Sequence, residues 1–349
     1  MSAGTGPGHG PSVAINARAA TRAQIGGVER LATEMAVRLP ALRPDRYRVI
    51  APPRALAHRA GHLWEQAGLP AQAAGCALLY CPANLAPIVS RRTVVVIHDA
   101  AALRHPQAYS SAYVGYQRAM LPLIARRARL IVTVSEFSKR ELVEVLGAAP
   151  ERVTVIPEGV DERFSANVDP AAAIARYGLD RPYVLVVGTI SDRKNLAVLE
   201  PAARALAERG LQLVVAGSER SYMRAAPVTL RRLGYVPDQD LPGLYAGARA
   251  LAMPSLYEGF GLPCLEAMAC GTPVVAAAAG ALPETVGEAG LLIDPHDADA
   301  FAAAILAAAC EDGVRERLAD AGRRRAAGYL WSRTAALTDA SITELLGAP

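Results

Sequence analysis

Two carboxylates flank a glycine-rich turn in the second half of the sequence. Glu258 precedes the turn at residues 259–261, and Glu266 follows eight residues after Glu258. Pro263 suits the first position of a helix, which Gly271 ends after about two turns. Such a helix N-terminus binds anions, because its free N–H groups and its dipole both favour negative charge. The stretch predicts a nucleotide-phosphate site, with Glu266 in the first helical turn, where it could accept both hydroxyls of a ribose.

The same acids also have a structural interpretation. A carboxylate in a first helical turn stabilises the helix dipole. Glu258 could equally be a turn residue that binds no ligand. From these residues alone both interpretations stay open.

Two further polar pairs follow predicted strands. Residues 93–97 form a β-branched run that is typical of a buried parallel strand, and His98-Asp99 come at its carboxyl end. Residues 183–187 form a second buried run, and the next loop carries Arg193-Lys194. Open α/β sheets bind ligands at this end of their strands, and Arg and Lys both suit phosphates. The alternatives are a strand-end cap for the first pair and an ordinary surface position for the second.

Length and composition predict a two-domain globular protein. The chain has 349 residues, of which 52% are hydrophobic and 20% charged, and no apolar run approaches the length of a membrane span. The first twelve residues suggest a disordered leader without the features of a signal peptide. Five cysteines without CxxC spacing indicate neither a zinc site nor a disulfide framework, so we expect a cytoplasmic protein. A dehydrogenase is disfavoured, because no GxGxxG fingerprint is present.

Charge is distributed unevenly along the chain. Through Ser165 there are 20 Lys/Arg and 12 Asp/Glu, whereas the remainder has 17 and 21. The first half could therefore meet an anionic partner, or it could carry only a solvated arginine-rich surface. We expect no nucleic-acid partner.

Several segments resemble one enzyme family. Residues 258–266 resemble the E-x7-E signature of retaining glycosyltransferases of family 4. The other similar segments are the GG-x-x-R turn at 26–30, VIHDAAALRHP at 96–106, VSEFSKREL at 134–142, EGVD at 158–161, GT-x-x-x-RKN at 188–195 and YLWSRT at 329–334. Glu158 departs from the pattern, since the family usually has asparagine there.

The resemblance implies the fold class α/β, GT-B, with two Rossmann-like, doubly wound domains facing each other across a cleft. Residues 1–165 would form the acceptor-binding domain and residues 166–332 the nucleotide-sugar-binding domain. Residues 333–349 would form a C-terminal helix that returns to the first domain.

The resemblance also implies roles for individual residues. The catalytic residues would be His98, Arg193, Lys194 and Glu258, and the acceptor would contact Arg30 and Asp99. The donor would contact Gly27, Thr189, Arg193, Lys194, Tyr235, Val236, Glu258, Gly259, Phe260, Gly261, Leu262 and Glu266.

The implied reaction is retaining transfer of a hexose from a nucleotide diphosphate to a hydroxyl acceptor, with the diphosphate stabilised electrostatically. GDP-mannose is the first choice of donor and a UDP-hexose the second. The acceptor would be a glycan, a glycolipid or a secondary metabolite. We expect no cofactor and no metal, since Asp238-x-Asp240 and Asp297-x-Asp299 precede helices as caps. The basic first domain could also contact the inner face of an anionic membrane.

Other functions remain open at this point. A GT-B phosphorylase would use inorganic phosphate in the same cradle, and a nucleotide-sugar epimerase would turn over without an acceptor. A non-catalytic subunit that binds a sugar nucleotide is a third alternative.

Overall fold

A computed structural model describes residues 12–22, 24–53, 56, 61–225 and 229–347, so most of the predicted leader lies outside the described residues. Its first sheet has six parallel strands in the order β2-β1-β3-β4-β5-β6. These strands are β1 (Val13–Asn16), β2 (Tyr47–Ile50), β3 (Leu78–Cys81), β4 (Thr93–Val96), β5 (Leu130–Thr133) and β6 (Val153–Val155).

The second sheet is also parallel and has the order β12-β11-β10-β7-β8-β9. Its strands are β7 (Tyr183–Val187), β8 (Gln212–Ala216), β9 (Arg231–Gly234), β10 (Ala250–Met253), β11 (Val274–Ala277) and β12 (Leu291–Ile293). The predicted α/β architecture with two parallel sheets is confirmed.

Helices connect the parallel strands. The α-helices are α1 (Gly27–Leu42), α2 (Gly61–Leu63), α3 (Leu69–Gln72), α4 (Ala101–Arg104), α5 (Ser111–Arg127), α6 (Glu136–Leu146), α7 (Ala171–Arg176), α8 (Glu200–Ala207), α9 (Leu241–Gly247), α10 (Leu262–Ala269), α11 (Leu282–Val286), α12 (Ala298–Cys310), α13 (Asp312–Ala326) and α14 (Trp331–Gly347). A π-helical segment (Trp64–Gly68) joins α2 to α3, and 3-10 turns lie at Ala19–Thr21, Pro106–Ala108, Pro150–Arg152, Asp192–Lys194, Leu196–Leu199 and Gly287–Ala289. Within the described ranges, no helix combines the length and apolar character needed to cross a membrane.

The inner strands of both sheets are buried on both faces, as their continuous apolar runs predict, whereas the edge strands β2, β6, β9 and β12 are partly exposed. In β1, Val13 and Ile15 join the cluster that contains Met35 of α1, whereas Ala14 joins the cluster on the opposite face. Successive side chains point to opposite faces of a strand, so each sheet needs a helical layer on both sides.

The C-terminal helix packs against the first domain. Asp339 of α14 accepts hydrogen bonds from Arg43 Nε at 2.9 Å, Arg46 Nη1 at 3.0 Å and Tyr47 Oη at 2.7 Å. The boundaries proposed at residues 165 and 332 stay predictions, but the two sheets divide between β6 and β7.

Local interactions set where two of these helices begin. Helix α1 begins at Gly27, where the Glu29 carboxylate accepts the Gly26 N–H at 3.1 Å and so caps the helix start. The helical segment after Asn195 is divided into the 3-10 turn Leu196–Leu199 and α8. Pro201 explains this division, because proline has no N–H to continue the first turn.

Candidate active site

The carboxyl ends of the two sheets face a common cavity of about 530 Å³. We call the loops after β7 and β10, with the start of α10, the second-sheet wall. The residues that follow strands β1, β3, β4, β5 and β6 are the first-sheet wall. In the second sheet β7 lies between β10 and β8, so the strand order reverses at β7. Ligands bind at such a switch point in open α/β sheets.

The structure brings every predicted site residue to this one cavity. Its lining includes Gly27, Arg30, His98, Asp99, Thr189, Arg193, Lys194, Tyr235, Val236, Glu258, Gly259, Phe260, Gly261, Leu262 and Glu266. The roles assigned to these residues stay predictions, whereas their proximity is a structural finding.

A buried charge cluster dominates the second-sheet wall. Glu258 Oε1 lies 2.6 Å from Lys194 Nζ and 3.1 Å from Arg193 Nη1, and all three side chains are almost fully buried. Burial acts to raise the pKa of Glu258, but the charges of Lys194 and Arg193 outweigh it and lower the pKa to about 2. Burial lowers the pKa of Lys194, against the opposing charge of Glu258. This cluster therefore contains two basic side chains and one carboxylate.

The start of α10 corrects one prediction. Gly261 is the N-cap with φ +98°, a left-handed conformation that favours glycine, and the helix begins at Leu262. Pro263 is therefore the second helical residue and Glu266 the fifth, beyond the first turn where we had placed it. The free N–H groups at this helix start still line the cavity, through Gly261 and Leu262.

Glu266 is already held by neighbours from both domains. Tyr245 Oη donates to its Oε2 at 2.8 Å, and Arg30 Nε lies 3.4 Å from its Oε1. Burial raises the pKa of Glu266, although Arg30 opposes this shift. Arg30 Nη1 also donates to Asp238 Oδ2 at 3.2 Å. Arg30, predicted to contact the acceptor, therefore lies against two acids of the second domain.

His98 and Asp99 stand at the carboxyl end of β4, as predicted. Asn84 Oδ1 accepts the His98 backbone N–H at 2.9 Å and lies 2.8 Å from Nδ1 of the same ring. On the other side of the ring, Nε2 lies 3.4 Å from Glu158 Oε1. Asp99 Oδ1 accepts the N–H of Ala101, the first residue of α4, at 3.0 Å, although the N-cap position itself is Ala100.

The two walls are joined by hydrogen bonds to one carbonyl group. Ser135, the N-cap of α6, donates from Oγ to the Gly259 oxygen at 2.6 Å, and Ser138 donates from Oγ to the same oxygen at 3.0 Å. A Cβ at Gly259 would lie 2.8 Å from the His98 oxygen, so only glycine permits this approach. From the second domain, Glu284 accepts the Glu136 N–H at 2.8 Å at the start of α6.

Sequence reasoning missed a buried polar cluster on the first-sheet wall. Asn16 Nδ2 donates to Glu65 Oε1 at 2.7 Å, and Arg18 Nη2 lies 3.0 Å from Glu65 Oε2. Arg18 lines the cavity. The position of two asparagines in the sequence could have indicated polar residues here. Asn16 ends β1, and Asn84, the partner of His98, follows β3, so both lie at the ligand-binding edge of the sheet.

The two aspartate pairs predicted to cap helices, Asp238-x-Asp240 and Asp297-x-Asp299, differ in whether they form a capping hydrogen bond. Asp297 caps α12 by accepting the Ala300 N–H at 2.9 Å, as predicted. Asp240 occupies the cap position of α9 but makes no capping bond, because it accepts from Tyr177 Oη at 2.7 Å. Across the described part of the chain, no group of three or more His, Cys, Asp or Glu side chains is arranged to hold a metal ion.

Comparison with known proteins identifies the family. Residues 71–164 match the family model described as Glycosyltransferase Family 4, and residues 181–311 match Glycosyl transferases group 1. O-antigen chain mannosyltransferase B of Escherichia coli is 35% identical over 262 residues, which cover 69% of this chain and 67% of that protein. The chain belongs to glycosyltransferase family 4. A second relative, D-inositol 3-phosphate glycosyltransferase of Kribbella flavida, is 38% identical over 246 residues, or 63% of this chain and 58% of that protein.

Solved structures confirm the GT-B fold. Sucrose-phosphate synthase of Thermosynechococcus elongatus is similar over 97% of this chain and 100% of its own, with a TM-score of 0.76 and 21% identity. HepE of Anabaena, solved in complex with UDP-glucose, is similar over 95% of this chain and 99% of its own, with a TM-score of 0.72 and 20% identity. This family 4 chain thus shares its two-domain architecture with enzymes to which its sequence is only distantly similar.

Proposed function

We propose that the chain is a retaining, metal-independent hexosyltransferase that transfers a sugar from a nucleotide diphosphate to a hydroxyl acceptor. One observation carries the proposal: the buried cluster of Arg193, Lys194 and Glu258 beside the start of α10. Negative charge develops on the diphosphate as the glycosidic bond breaks. Two preorganised cations and a helix N-terminus stabilise that charge.

The same cluster favours front-face attack for retention. Glu258 Oε1 already pairs with Lys194 and Arg193, so this carboxylate is not free to attack the anomeric carbon. In the proposed route a diphosphate oxygen accepts the acceptor's hydroxyl proton while that hydroxyl attacks the anomeric carbon from the same face. Glu258 orients the donor sugar, Glu266 the ribose, and His98 a distant sugar hydroxyl.

GDP-mannose is the proposed donor, supported by the similarity to an O-antigen mannosyltransferase. A UDP-hexose is the second candidate, supported by the shared fold with HepE, which was solved with UDP-glucose. The proposed acceptor is a glycan, a glycolipid or a secondary metabolite. We propose a cytoplasmic enzyme whose arginine-rich first domain contacts an anionic membrane, and salt should weaken that contact.

A thermal-shift panel tests the donor class. GDP, UDP, ADP, GDP-mannose, UDP-glucose and inorganic phosphate are added separately, with and without magnesium. At 100 times its Kd, a ligand stabilises the folded protein by about 2.7 kcal/mol. We expect one nucleoside diphosphate and the corresponding nucleotide sugar to raise the melting temperature more than the other ligands, without magnesium. With that nucleotide sugar as donor, we then expect release of the nucleoside diphosphate to depend on an acceptor.

The other outcomes separate the alternative functions. A response to inorganic phosphate alone would identify a phosphorylase. Conversion of the donor without an acceptor would identify an epimerase, and binding without turnover across an acceptor panel would identify a non-catalytic subunit. A requirement for magnesium would overturn the metal-independent mechanism.

A further inference from the structure

Tyr257 connects the two domains immediately before Glu258 in the chain. It follows strand β10 of the second domain, yet its side chain belongs to a cluster whose other buried members all come from the first domain. These members are Ala101, Ala102, Ala108, Tyr109 and Val114. Only 4% of the Tyr257 surface is exposed. The first domain therefore buries the ring of a residue that the second domain supplies.

The ring of Tyr257 lies between the end of α4 and the start of α6. The rings of His105 and Phe137 are tilted against it by 65° and 69°, with ring centroids 5.3 Å and 5.1 Å away. Its hydroxyl oxygen accepts the Ala100 N–H at 3.2 Å. Edge-to-face ring contacts at such distances are favourable and depend on the orientation of both rings. Three contacts with the first domain thus fix the position of the Tyr257 side chain.

The main chain of the same residue is bound to the charge cluster of the second-sheet wall. Arg193 Nη1 donates to the Tyr257 carbonyl oxygen, and the Leu256 N–H donates to the Arg193 carbonyl oxygen at 2.9 Å. The next residue is Glu258, whose carboxylate pairs with Arg193 and Lys194. Tyr257 therefore contacts the first domain through its ring and the charge cluster through its carbonyl group.

We propose that Tyr257 is a positioning residue, through which the first domain holds Arg193 and Glu258 in the geometry needed for transfer. This inference rests on the proposed transferase function. Tyr257 and its ring partner Phe137 are described residues that do not line the cavity, so both act at a distance from the substrates. A displacement of about 1 Å slows a reaction by about 100-fold in such cases. A residue outside the cavity thus controls the rate through position alone.

Kinetics and nucleotide binding together test the proposal. Calorimetry gives the Kd of GDP or UDP, whichever the thermal-shift panel selects, and steady-state assays give kcat with the matching nucleotide sugar and an acceptor. Tyr257→Ala should lower kcat by about 100-fold. The Kd should rise by less than about 5-fold, because displaced groups cost more in the transition state than in the bound nucleotide. Tyr257→Phe keeps both ring contacts, so its kcat should stay within about 5-fold of the unsubstituted value.

A second variant tests the same contact from the first domain. Phe137→Ala removes one of the two rings that meet Tyr257 and should lower kcat by about 10-fold. Because both changes break one contact, the double variant should lie within about 2-fold of Tyr257→Ala alone, whereas independent losses would multiply to about 1,000-fold. If Tyr257→Ala does not fold, Tyr257→Leu takes its place, since it keeps apolar volume without the ring, and its kcat should be at least about 10-fold lower.

Tyr177→Ala is the matched control. Tyr177 also lies in the second domain, but its hydroxyl donates to Asp240 at 2.7 Å and its side chain does not line the cavity. Its kcat should remain within about 2-fold of that of the unsubstituted protein, as for a substitution away from the site.

Three results would overturn the inference. They are a kcat of Tyr257→Ala within about 5-fold of normal, a nucleotide Kd that rises as much as kcat falls, and losses that multiply in the double variant. In each case the unsubstituted protein still transfers the sugar, so the proposed function survives. Absence of transfer from every nucleotide sugar in the unsubstituted protein would instead overturn the proposed function, and this inference with it.

Discussion

The two walls of the cavity differ in how their charged groups are satisfied. On the second-sheet wall, Glu258 is paired with Lys194 and Arg193 before any ligand binds. On the first-sheet wall, His98 Nε2 and Glu158 Oε1 lie close together without hydrogen-bond partners among the described residues. The first-sheet wall also contains a paired charge, Arg18 with Glu65, but its His98–Glu158 contact is longer, at 3.4 Å, than the 2.6 Å contact between Lys194 and Glu258.

The difference matches the chemistry proposed for each wall. A diphosphate is highly charged, and cations held in place by a carboxylate need no reorganisation when it arrives. A sugar hydroxyl is neutral, so it is recognised by specific buried donors and acceptors. On the proposed function, we therefore expect substitutions on the second-sheet wall to affect mainly the rate of transfer, and substitutions on the first-sheet wall to affect mainly the choice of sugar.

Removing the lysine tests the second-sheet wall most directly. Lys194→Ala should lower kcat/KM by about 100-fold or more, since it removes a preorganised cation from the developing charge. Lys139, the only other lysine of the chain, lies outside the cavity lining, so Lys139→Ala is the matched control. If steady-state kinetics showed a near-normal kcat/KM for Lys194→Ala as well as for Lys139→Ala, the proposed role of the second-sheet wall in catalysis would be contradicted.

The ribose contact is tested next. Glu266→Ala should lower kcat/KM by about 100-fold, because the variant loses a buried acceptor and leaves Arg30 with one acid fewer. Donors with a 2′-deoxyribose should be poor substrates of the unsubstituted protein and no worse in the variant. Glu288 is exposed and lies outside the cavity, so Glu288→Ala serves as the control. If the 2′-deoxyribose donors remained poorer substrates than the ribose donors in Glu266→Ala, Glu266 would not be the residue that binds the ribose.

The charge cluster also predicts how stability depends on pH. The folded-state pKa of Glu258 is about 2, below its ordinary 4.5, so its contribution is complete above pH 4.5 and is lost as the pH falls towards 2. The shift corresponds to about 3 kcal/mol of unfolding free energy. Urea denaturation should show Glu258→Gln less stable than the unsubstituted protein at pH 7, with the difference shrinking between pH 4.5 and 2. A difference that stays constant over this range would show that the pairing does not stabilise the fold.

The serines that join the walls give the smallest expected effect. Ser135 and Ser138 both donate to the Gly259 oxygen, but only Ser135 also accepts an N–H as the cap of α6. Ser135→Ala should therefore lower the free energy of unfolding by about 1 kcal/mol more than Ser138→Ala. Equal losses in urea denaturation would mean that the capping bond contributes nothing beyond the contact between the walls.

Much of the second-sheet wall could be predicted from sequence, because its residues lie close together in the chain. Arg193 and Lys194 follow one buried strand, and residues 258–266 follow another. The two strands pair in the sheet, so their loops meet. Local patterns placed both loops at the carboxyl ends of buried strands, and the family resemblance then predicted that they contribute to one site.

The first-sheet wall could not be predicted in the same way. His98 meets Asn84 and Glu158, which lie 14 and 60 residues away along the chain, through loops that carry no shared pattern. Glu158 departs from the family's usual residue, so the resemblance carried no information about its contact. Only packing of the whole sheet determines which side chains meet there.

Helix α13 was missed for a different reason. Its sequence is rich in arginine, and its buried residues are few: Leu318, Gly322 and Ala326. Gly322 sits against Met268 of α10, where an added Cβ would lie 3.0 Å from the Met268 side chain. A helix that packs through small residues shows little apolar periodicity, so the sequence pattern does not reveal it.

At Gly259 the closed cleft leaves space for a hydrogen atom but not for a methyl group. A Cβ there would lie 2.8 Å from the His98 oxygen and 2.9 Å from Asp99 Cβ. A methyl group at this position would press on the His98 carbonyl and on the Asp99 side chain, and would force the two walls apart. On the proposed mechanism, we expect Gly259→Ala to favour a more open cleft and so to expose the reacting sugar to water more often.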